Sequence, residues 1–343
     1  MRVLLKNMSI ASTDMMDQIK VLVTNECNLC CTHCFRKDKT QIQMLPLSKV
    51  CEIVDFATEH RARKLSFSGG EFFTHPYAYD ILDYCLKKNI DITILTNATC
   101  LNVDYFKKYS TQRISFQVSI DGMREAHDQR RGRGNFDRMF SNVKVLKNLG
   151  FNIRASMVLD FNNYKDIINV MKLPYFDGFN CLPVAYTNDF NSALNNEEYE
   201  IRCEYDAVIA MMYKHNKRSA DGTQRCHMYP MGLGIRYDGN VYPCAVSRDY
   251  DLLCMGNMME SSLKDILNTF ETTKVGKLLH SYKDNRIEEC EKCKSNNVCN
   301  RGCRIRAYKL FGTFDAPDLF CCRIFGEERS NSCLNNLFWG ERN

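Results

Sequence analysis

The sequence predicts an α/β protein built on a curved parallel sheet, a partial (β/α)6 relative of the closed eight-unit TIM barrel. Short β-branched runs alternate with longer amphipathic segments, a pattern typical of strands that are each followed by a helix. Six such units follow one another, and strands joined in this way lie parallel with the helices outside the sheet. A cysteine-rich segment comes after the last unit and predicts a second, smaller domain.

The six units are expected in order along the chain, each strand as a β-branched run and each helix as the amphipathic segment after it. The predicted strands are 20–24, 64–68, 91–96, 114–120, 152–159 and 178–184. The predicted helices are 48–59, 77–88, 103–109, 136–149, 164–172 and 197–215.

Length and composition agree with more than one domain, since 343 residues of which 45% are hydrophobic can bury a large core. A polar stretch at 219–223 reads as the connection between the domains. We expect an N-terminal extension at 1–17, the partial barrel at 18–218, the cysteine-rich domain at 219–325 and a C-terminal tail at 326–343.

Charge and hydropathy exclude two classes of partner. The net charge is +5, and the basic clusters are short and not interleaved with aromatic residues, so no nucleic-acid surface is expected. No stretch approaches the ~20 apolar residues of a membrane span, and the apolar run before Lys6 is too short for a secretory signal. The protein is therefore expected in the cytoplasm. There, ten of the 19 cysteines would hold metal rather than form disulfides, and most of the other nine would be ordinary buried thiols.

Chemically distinctive residues follow four of the predicted strands. In strand order they are the cysteine run 27–34, Gly69-Gly70-Glu71, Thr96-Asn97 and Ser119-Ile120-Asp121. Active residues of parallel barrels collect on the loops after the carboxyl ends of the strands. The sequence therefore predicts an active site at this edge of the sheet.

The cysteine run holds Cys27, Cys31 and Cys34 with the spacing C-x3-C-x2-C. Three thiolates on one loop can ligate three irons of a 4Fe-4S cluster and leave the fourth iron open. Zinc also takes thiolates, but it wants a fourth protein ligand, whereas this spacing directly after a barrel strand matches a cluster with a spare iron. Cys30 lies inside the motif and could compete as a ligand. With Ser68-Gly69-Gly70-Glu71 and Ser119-Ile120-Asp121-Gly122 downstream, the chain resembles the radical S-adenosylmethionine (radical SAM) enzymes. The resemblance implies that the open iron chelates S-adenosylmethionine.

The resemblance also implies the residues that would hold this cofactor, although each alone is more often a turn, cap or packing residue. Ser68, Gly69, Gly70 and Glu71 correspond to an element that binds the methionyl amine. Asn97 and Ser119 would reach the ribose hydroxyls, and His33 would stack on the adenine. Arg131 would form a fork with the methionyl carboxylate, with Arg130 and Arg133 as the alternatives.

A second cysteine array resembles the auxiliary-cluster extension called SPASM. Its spacing is Cys226-x12-Gly239-x4-Cys244, Cys290-x2-Cys293-x5-Cys299-x3-Cys303 and Cys321, with Asp238-Gly239 as the turn of a hairpin. A pair of zinc ribbons is the alternative. By resemblance, the first auxiliary cluster would be held by Cys226, Cys244 and Cys303, and the second by Cys290, Cys293, Cys299 and Cys321.

Two of these ligand assignments stay open. The first auxiliary cluster has only three ligands, so either Cys254 or Cys203 completes it or one of its irons stays open. Cys322 is the alternative to Cys321 as the last ligand of the second cluster.

The resemblance implies an enzyme that cleaves S-adenosylmethionine reductively and abstracts a hydrogen atom, most plausibly from a ribosomally made peptide. Such enzymes form thioether or carbon–carbon crosslinks, or epimerise residues. Cys181 would be the hydrogen donor of an epimerisation, with an ordinary buried thiol as the alternative. The expected partners are a precursor peptide and a flavodoxin- or ferredoxin-type reductant. Because only about two dozen residues precede Cys27, leader recognition would need either a separate leader-peptide-binding protein or none.

Three other functions remain alternatives: oxidation or rearrangement of a small molecule such as a sugar or amine, sulfatase maturation, and a non-catalytic iron-sulfur or zinc scaffold. Sulfatase maturation is disfavoured because Ala245 stands where that branch typically has an Asp.

Overall fold

The computed structural model describes residues 16–34, 41–109, 111–160, 162–183, 228–284, 287–292 and 303–316. Its strands are β1 (Gln18–Leu22), β2 (Leu65–Ser68), β3 (Ile92–Thr96), β4 (Ile114–Ser119), β5 (Asn152–Leu159), β6 (Gly178–Pro183), β7 (Gly232–Ile235), β8 (Asn240–Tyr242) and β9 (Gly256–Asn257).

Its α-helices are α1 (Leu47–Glu59), α2 (Ala78–Lys87), α3 (Val103–Phe106), α4 (Arg124–Arg131), α5 (Asn135–Asn148), α6 (Ile167–Met171), α7 (Leu263–Thr269), α8 (Lys274–Asp284), α9 (Glu288–Glu291) and α10 (Arg304–Phe311). Short 3-10 turns cover Phe72–Thr74, Tyr164–Asp166, Ser247–Asp249, Asp251–Leu253 and Phe270–Thr272. Within the described residues, no helix is both long and apolar enough to cross a lipid bilayer.

The described strands form one sheet in the order β6-β5-β4-β3-β2-β1-β7-β8-β9. The pairs from β1 through β5 are parallel, each joined by helical crossovers, as the alternating sequence predicts. Strand β7 extends the sheet by pairing parallel to β1, and β8 and β9 add to it antiparallel. The predicted α/β fold with a TIM-like partial barrel is confirmed.

The two faces of the sheet have opposite chemistry, because successive side chains of a strand point to opposite sides. One face is apolar and packs against the helical layer, where the ring of Phe67 lies 5.5 Å from Phe72 and that of Phe116 lies 5.2 Å from Phe106. The other face is polar: Thr93 and Ser115 share a 2.7 Å hydrogen bond, and Gln117 donates to Ser156 at 3.0 Å. The core therefore lies between sheet and helices, and the opposite face presents polar groups.

All six predicted strands are present, with ends displaced by up to two residues, as in β1, which begins at Gln18. Helix α4 was not predicted, because its sequence is almost entirely charged and polar and has no apolar stripe. Its buried residues are instead His127, Arg130 and Arg131. Strand β7 was also missed, since its Gly-Leu-Gly-Ile sequence has little β-propensity. The predicted helix at 197–215 lies outside the described residues.

The chain divides into two compact units. One comprises residues 1–157, 166–180 and 227–278, and it contains the cysteine run and strands β1 to β4 and β7 to β9. The other comprises residues 158–165, 181–226 and 279–343. The sheet continues across the predicted boundary after residue 218, because β7 pairs with β1. The proposed division into domains stays a prediction.

Candidate active site

The cysteine loop, residues 27–34, leaves the carboxyl end of β1 shortly after Leu22. Cys27, Cys31 and Cys34 are half-buried, and none of these three forms a disulfide. The Leu29 amide donates to Cys27 Sγ at 3.4 Å, and the Cys34 amide donates to the carbonyl of Cys31 at 3.2 Å. Burial raises the pKa of the Cys31 thiol, although Arg131 opposes the rise. The loop thus carries the predicted thiols at the edge where the sequence placed the site.

The two glycines after β2 are required by close packing against the start of this loop. A Cβ on Gly69 would lie 2.8 Å from the Thr24 carbonyl oxygen, and one on Gly70 would lie 2.1 Å from that of Glu26. Real Cβ atoms do not approach backbone oxygens so closely. Because neither glycine has a Cβ, the Gly70 amide can donate to the Thr24 carbonyl at 2.8 Å, and the Glu71 amide donates to the Glu26 carbonyl at 2.7 Å.

Glu71 joins the ends of two strands. Its side chain is 1% exposed; Oε1 accepts from the Thr96 hydroxyl at 2.7 Å and Oε2 from the Asn97 amide at 2.7 Å. Burial raises the pKa of this carboxyl, and the Asn97 and Thr96 donors oppose that rise. Both carboxylate oxygens therefore serve to hold the loop after β2 against the end of β3, and the cofactor contact assigned to Glu71 stays a prediction.

Asn97 is buried and faces the cysteine loop. Its Nδ2 donates to Asn28 Oδ1 at 2.9 Å and lies 3.9 Å from Cys27 Sγ. Its Oδ1 accepts from the Thr99 amide at 2.9 Å, and Asn28 in turn donates to the Thr99 hydroxyl at 2.8 Å. These bonds position the Cys27 side of the loop, and the ribose contact assigned to Asn97 stays a prediction.

Asp121, just after β4, was given no role of its own in the sequence analysis, yet it lies at the centre of the site. It is fully buried, and its Oδ2 accepts from Arg131 Nε at 2.6 Å and lies 3.2 Å from His33 Nε2. Arg130 Nε is 3.8 Å from the same oxygen. Burial alone would raise the pKa of Asp121, but the neighbouring cations hold it below its usual range. The Ser119-Ile120-Asp121-Gly122 motif, of which Asp121 is the third residue, was the available signal.

Arg131, one of the three candidate arginines, brings its guanidinium into contact with the cysteine loop. Its Nη1 lies 3.9 Å from Cys31 Sγ and its Nη2 lies 3.5 Å from His33 Nε2. Arg130 contributes its carbonyl, which accepts from the Thr32 amide at 2.9 Å, and Arg133 is exposed. Helix α4 therefore clamps the second half of the loop through main chain and side chain together.

His127 and Asp128, in the same helix as Arg131, have a different role. Asp128 accepts from the Gly134 amide at 2.7 Å and the Phe136 amide at 2.8 Å, so it caps the start of α5. His127 is buried against the ring of Phe136, and burial lowers its pKa to about 4. Both residues support the turn that carries Arg131.

The two predicted serines lie at the carboxyl ends of their strands. Ser68 is half-buried, and its carbonyl accepts from the Val23 amide at 2.9 Å. Ser119 is half-buried on the polar face and pairs with Ser156 in the β4–β5 register. Their contacts with a cofactor stay predictions.

Cys244 follows β8 in the same compact unit as the cysteine loop. Its Sγ lies 3.4 Å from the buried hydroxyl of Ser247, which also donates to the Cys244 carbonyl at 2.9 Å. Cys254 is half-buried, and its thiol donates to the Gly256 carbonyl at 3.5 Å. The predicted hairpin is confirmed, with strands β7 and β8 joined across the Asp238-Gly239 turn.

The remaining predicted cysteines lie in the other compact unit or outside the described residues. Cys181 is buried in β6, and burial raises its pKa to about 12; Cys290 and Cys303 are half-buried. Of the cysteines named in the sequence analysis, those outside the described residues are Cys203, Cys226, Cys293, Cys299, Cys321 and Cys322. Across the described ranges, no three His, Cys, Asp or Glu side chains are grouped as ligands of a single metal ion.

Known proteins resemble this chain in both of its cysteine regions. The model of the radical SAM superfamily matches residues 21–173, and that of SPASM, an iron-sulfur cluster-binding domain, matches residues 226–294. The antilisterial bacteriocin subtilosin biosynthesis protein AlbA of Bacillus subtilis (strain 168) is 26% identical, over 83% of this chain and 66% of its own length. The AdoMet-dependent heme synthase of Methanosarcina barkeri (strain Fusaro / DSM 804) is 25% identical, over 87% of this chain and 94% of its own length.

Among solved structures, Streptococcus suis SuiB bound to S-adenosylmethionine superposes with a TM-score of 0.67 and 18% identity, covering 90% of this chain and 77% of SuiB. This similarity supports the fold. The radical SAM match contains the cysteine run, and the SPASM match contains Cys226, Cys244, Cys290 and Cys293 of the second array, which favours iron-sulfur clusters over the zinc-ribbon alternative. The chain therefore carries a radical SAM domain over residues 21–173 and a SPASM iron-sulfur cluster-binding domain over residues 226–294.

Proposed function

We propose that Cys27, Cys31 and Cys34 hold a 4Fe-4S cluster and that S-adenosylmethionine binds beside it. The donor set fits such a group, because an amide donates to Cys27 and a guanidinium approaches Cys31, and cluster thiolates accept such bonds. When bound, the cluster would supply the electron that cleaves S-adenosylmethionine to methionine and a 5′-deoxyadenosyl radical.

The observation that carries this proposal is the cluster of charges around Asp121. Its carboxylate holds the guanidinium of Arg131 at 2.6 Å and faces His33 at 3.2 Å, so both side chains are fixed beside the cysteine loop. A preorganised guanidinium is suited to the methionyl carboxylate, because it offers two parallel N–H donors. An imidazole held on one edge leaves its ring face available for stacking on adenine.

The other cofactor contacts follow from the strand ends. The segment Ser68 to Glu71 would offer backbone carbonyls to the methionyl amine, since its glycines leave the main chain uncovered. Asn97 and Ser119 would reach the ribose hydroxyls from the ends of β3 and β4. Asn97 would then exchange its present bond to Asn28 for one to the cofactor, or hold both.

Auxiliary clusters would occupy the SPASM region. Cys226, Cys244 and Cys303 would hold the first, with Cys254 or Cys203 as a candidate fourth ligand. Cys290, Cys293, Cys299 and Cys321 would hold the second, with Cys322 as the alternative to Cys321. The partial barrel would span 18–218 and the SPASM domain 219–325. Support comes from the SPASM match over residues 226–294.

The proposed substrate is a ribosomally made precursor peptide. AlbA is named for the biosynthesis of subtilosin, and a structure of SuiB contains its precursor peptide SuiA. A flavodoxin- or ferredoxin-type protein would deliver electrons, a separate protein would present the leader peptide, and the location would be cytoplasmic.

If the reaction were an epimerisation, Cys181 would return the hydrogen atom, since its pKa of about 12 keeps it a protonated thiol. The heme synthase relative makes small-molecule oxidation the second candidate.

Two measurements on anaerobically reconstituted protein test the proposal. About twelve irons per chain would indicate three 4Fe-4S clusters, about eight would indicate one auxiliary cluster, and zinc with about four irons would contradict the auxiliary assignment. Reduced protein should then form 5′-deoxyadenosine, faster with synthetic precursor peptides than without.

The Cys31→Ala variant should lose this activity, whereas Cys51→Ala, on helix α1, should keep it as the matched control. Loss in neither variant would contradict the assignment of the cysteine loop. A rate that no precursor peptide changes, but that a porphyrin, sugar or amine substrate raises, would replace the peptide with a small molecule.

A further inference from the structure

Lys20 lies at the middle of β1 on the polar face of the sheet. Its Cα is paired with Ser66 of β2 on one side and with Gly234 of β7 on the other. Gln18, two residues earlier on the same face, donates to the Ser66 hydroxyl at 2.9 Å. The Lys20 side chain therefore belongs to the face that is turned away from the helical core.

Gly234 brings the main chain of Cys244 against this part of the sheet. A Cβ on Gly234 would lie 2.4 Å from the Cys244 carbonyl oxygen and 2.9 Å from Arg248 Cγ. Only a residue without a side chain allows so close an approach, and the position paired with Gly234 is Lys20. The loop that begins at Cys244 thus packs beside the strand position that carries the lysine.

The electrostatic surroundings of Lys20 are cationic. Burial lowers the pKa of its ammonium, and Arg248 and Lys64 lower it further, whereas a thiolate at Cys244 raises it. Arg248 is anchored in the same loop by a 2.6 Å bond from its Nε to the Ala245 carbonyl. In the described part of the chain, the Lys20 ammonium makes neither a hydrogen bond nor an ion pair.

A partly buried ammonium without a counter-ion costs free energy, and neighbouring cations increase that cost. An anion beside Cys244 would remove it. A 4Fe-4S cluster held by thiolates carries net negative charge, and nearby charge is one of the factors that set its reduction potential. Cys244 is the thiol in this part of the sheet that the SPASM spacing assigns to such a cluster.

We infer that Lys20 is the counter-charge of the first auxiliary cluster and raises the reduction potential of that cluster. The inference rests on the proposed function, because it requires Cys244 to be a cluster ligand. Reduction adds one electron to the cluster and leaves its ligands unchanged, so the reduced form is more negative by one charge. A fixed positive charge stabilises the reduced form more than the oxidised form.

The test is a redox titration of reconstituted protein that carries Cys27→Ala, Cys31→Ala and Cys34→Ala, so that only auxiliary clusters remain. Electron paramagnetic resonance follows reduction by dithionite, and Cys244→Ser identifies the signal of the first cluster. Lys20→Met should lower the one-electron reduction constant about tenfold, which is 59 mV. Lys20→Arg keeps the charge and should preserve the potential. Lys88→Met removes one positive charge at the C-terminal end of helix α2, where Lys88 pairs with Asp55, and is the matched control for the loss of a charge.

Three results would overturn the inference. An unchanged potential in Lys20→Met, with Cys244→Ser still removing the signal, would leave the cluster assignment intact and reject the role of Lys20. An equal shift of the reduction potential in Lys88→Met would show that the effect comes from the net charge of the protein and not from the position of Lys20. Unchanged iron content and signals in Cys244→Ser would reject the ligand assignment itself, and the inference with it.

Discussion

The compact unit that contains β1 to β4 also contains two cysteine-bearing loops that are held in place in opposite ways. The cysteine loop is fixed by residues far away in sequence: Asn97 is 70 residues from Cys27, and Arg131 is 100 residues from Cys31. The hairpin loop, residues 244–254, is fixed by near neighbours. Ser247 and Arg248 each bond to a residue three positions away.

A second local contact set supports the hairpin loop. The guanidinium of Arg236 bonds to Asp238 at 2.7 Å, to the Arg248 carbonyl at 3.0 Å and to Asp251 at 3.3 Å. All of these partners lie within 15 residues. The hairpin loop can therefore form as soon as its own hairpin does, whereas the cysteine loop needs the ends of β2, β3 and β4 to be assembled first.

The largest expected difference concerns one carboxylate beside each loop, Asp121 at the cysteine loop and Asp251 at the hairpin loop. Asp121→Ala removes a fully buried counter-charge from Arg131 and His33, and should lower the free energy of unfolding by about 3–5 kcal/mol. Asp251→Ala removes a side chain that is 84% exposed and should cost about 0–1 kcal/mol. Urea unfolding of both variants checks this. Equal losses would mean that the two loops are supported alike.

The second expected difference concerns the glycines beneath the loops. Gly70→Ala would force a methyl group against the Glu26 carbonyl, 2.1 Å away, and Gly234→Ala against the Cys244 carbonyl, 2.4 Å away. Each should lower the free energy of unfolding by about 1–3 kcal/mol, because the neighbouring atoms are backbone. Gly70→Ala should also lose substrate-independent formation of 5′-deoxyadenosine, and Gly234→Ala should keep it. Loss of this activity in Gly234→Ala but not in Gly70→Ala would mean that the hairpin loop, and not the cysteine loop, supports cleavage of S-adenosylmethionine.

The third expected difference is sensitivity to acid, and it should be confined to the cysteine loop. Burial lowers the pKa of His127 to about 4, and Arg131 and His33 lower it further, whereas Asp121 and Asp128 raise it. Its folded pKa lies below the unfolded value, so the stabilisation is complete above about pH 6.5 and is lost as the pH falls toward 4. At pH 5 the loss should be about 2 kcal/mol.

Hydrogen exchange distinguishes the two loops in this test. The Thr32 amide, bonded to the Arg130 carbonyl, should exchange faster as the pH falls from 7 to 5, after correction for intrinsic rates. The Met255 amide, bonded to Val241 in the hairpin, should not. His127→Asn keeps an acceptor for the Asp121 amide and should abolish the difference. If the difference in exchange between the two amides persists in His127→Asn, another group causes the acid sensitivity.

Local patterns in the chain predict the fold and the position of the site. The alternation of β-branched and amphipathic runs is a local property, and all six predicted strands are present. The spacing of Cys27, Cys31 and Cys34 is local as well, as is the Asp238-Gly239 turn. Helix α4 escaped prediction because its buried face is charged, which hydrophobic periodicity cannot detect.

The partners of the site residues could not be predicted in the same way. Glu71 and Asn97 were assigned to a cofactor, but the fold also uses them to join strand ends and to hold Asn28. The role of Asp121 depends on residues that precede and follow it by many positions. Side chains of this kind are chosen by distances between strand ends, and these distances exist only in the folded sheet.

By itself, the sequence determined the alternating fold, the cysteine spacing and the hairpin, because each depends on residues close together in the chain. Only the tertiary structure decided that Asp121 holds Arg131 and His33 beside the cysteine loop, and that Lys20 lies opposite Gly234. The physical reason is that a buried charge is stable only where the fold supplies its partners, and those partners come from distant strands.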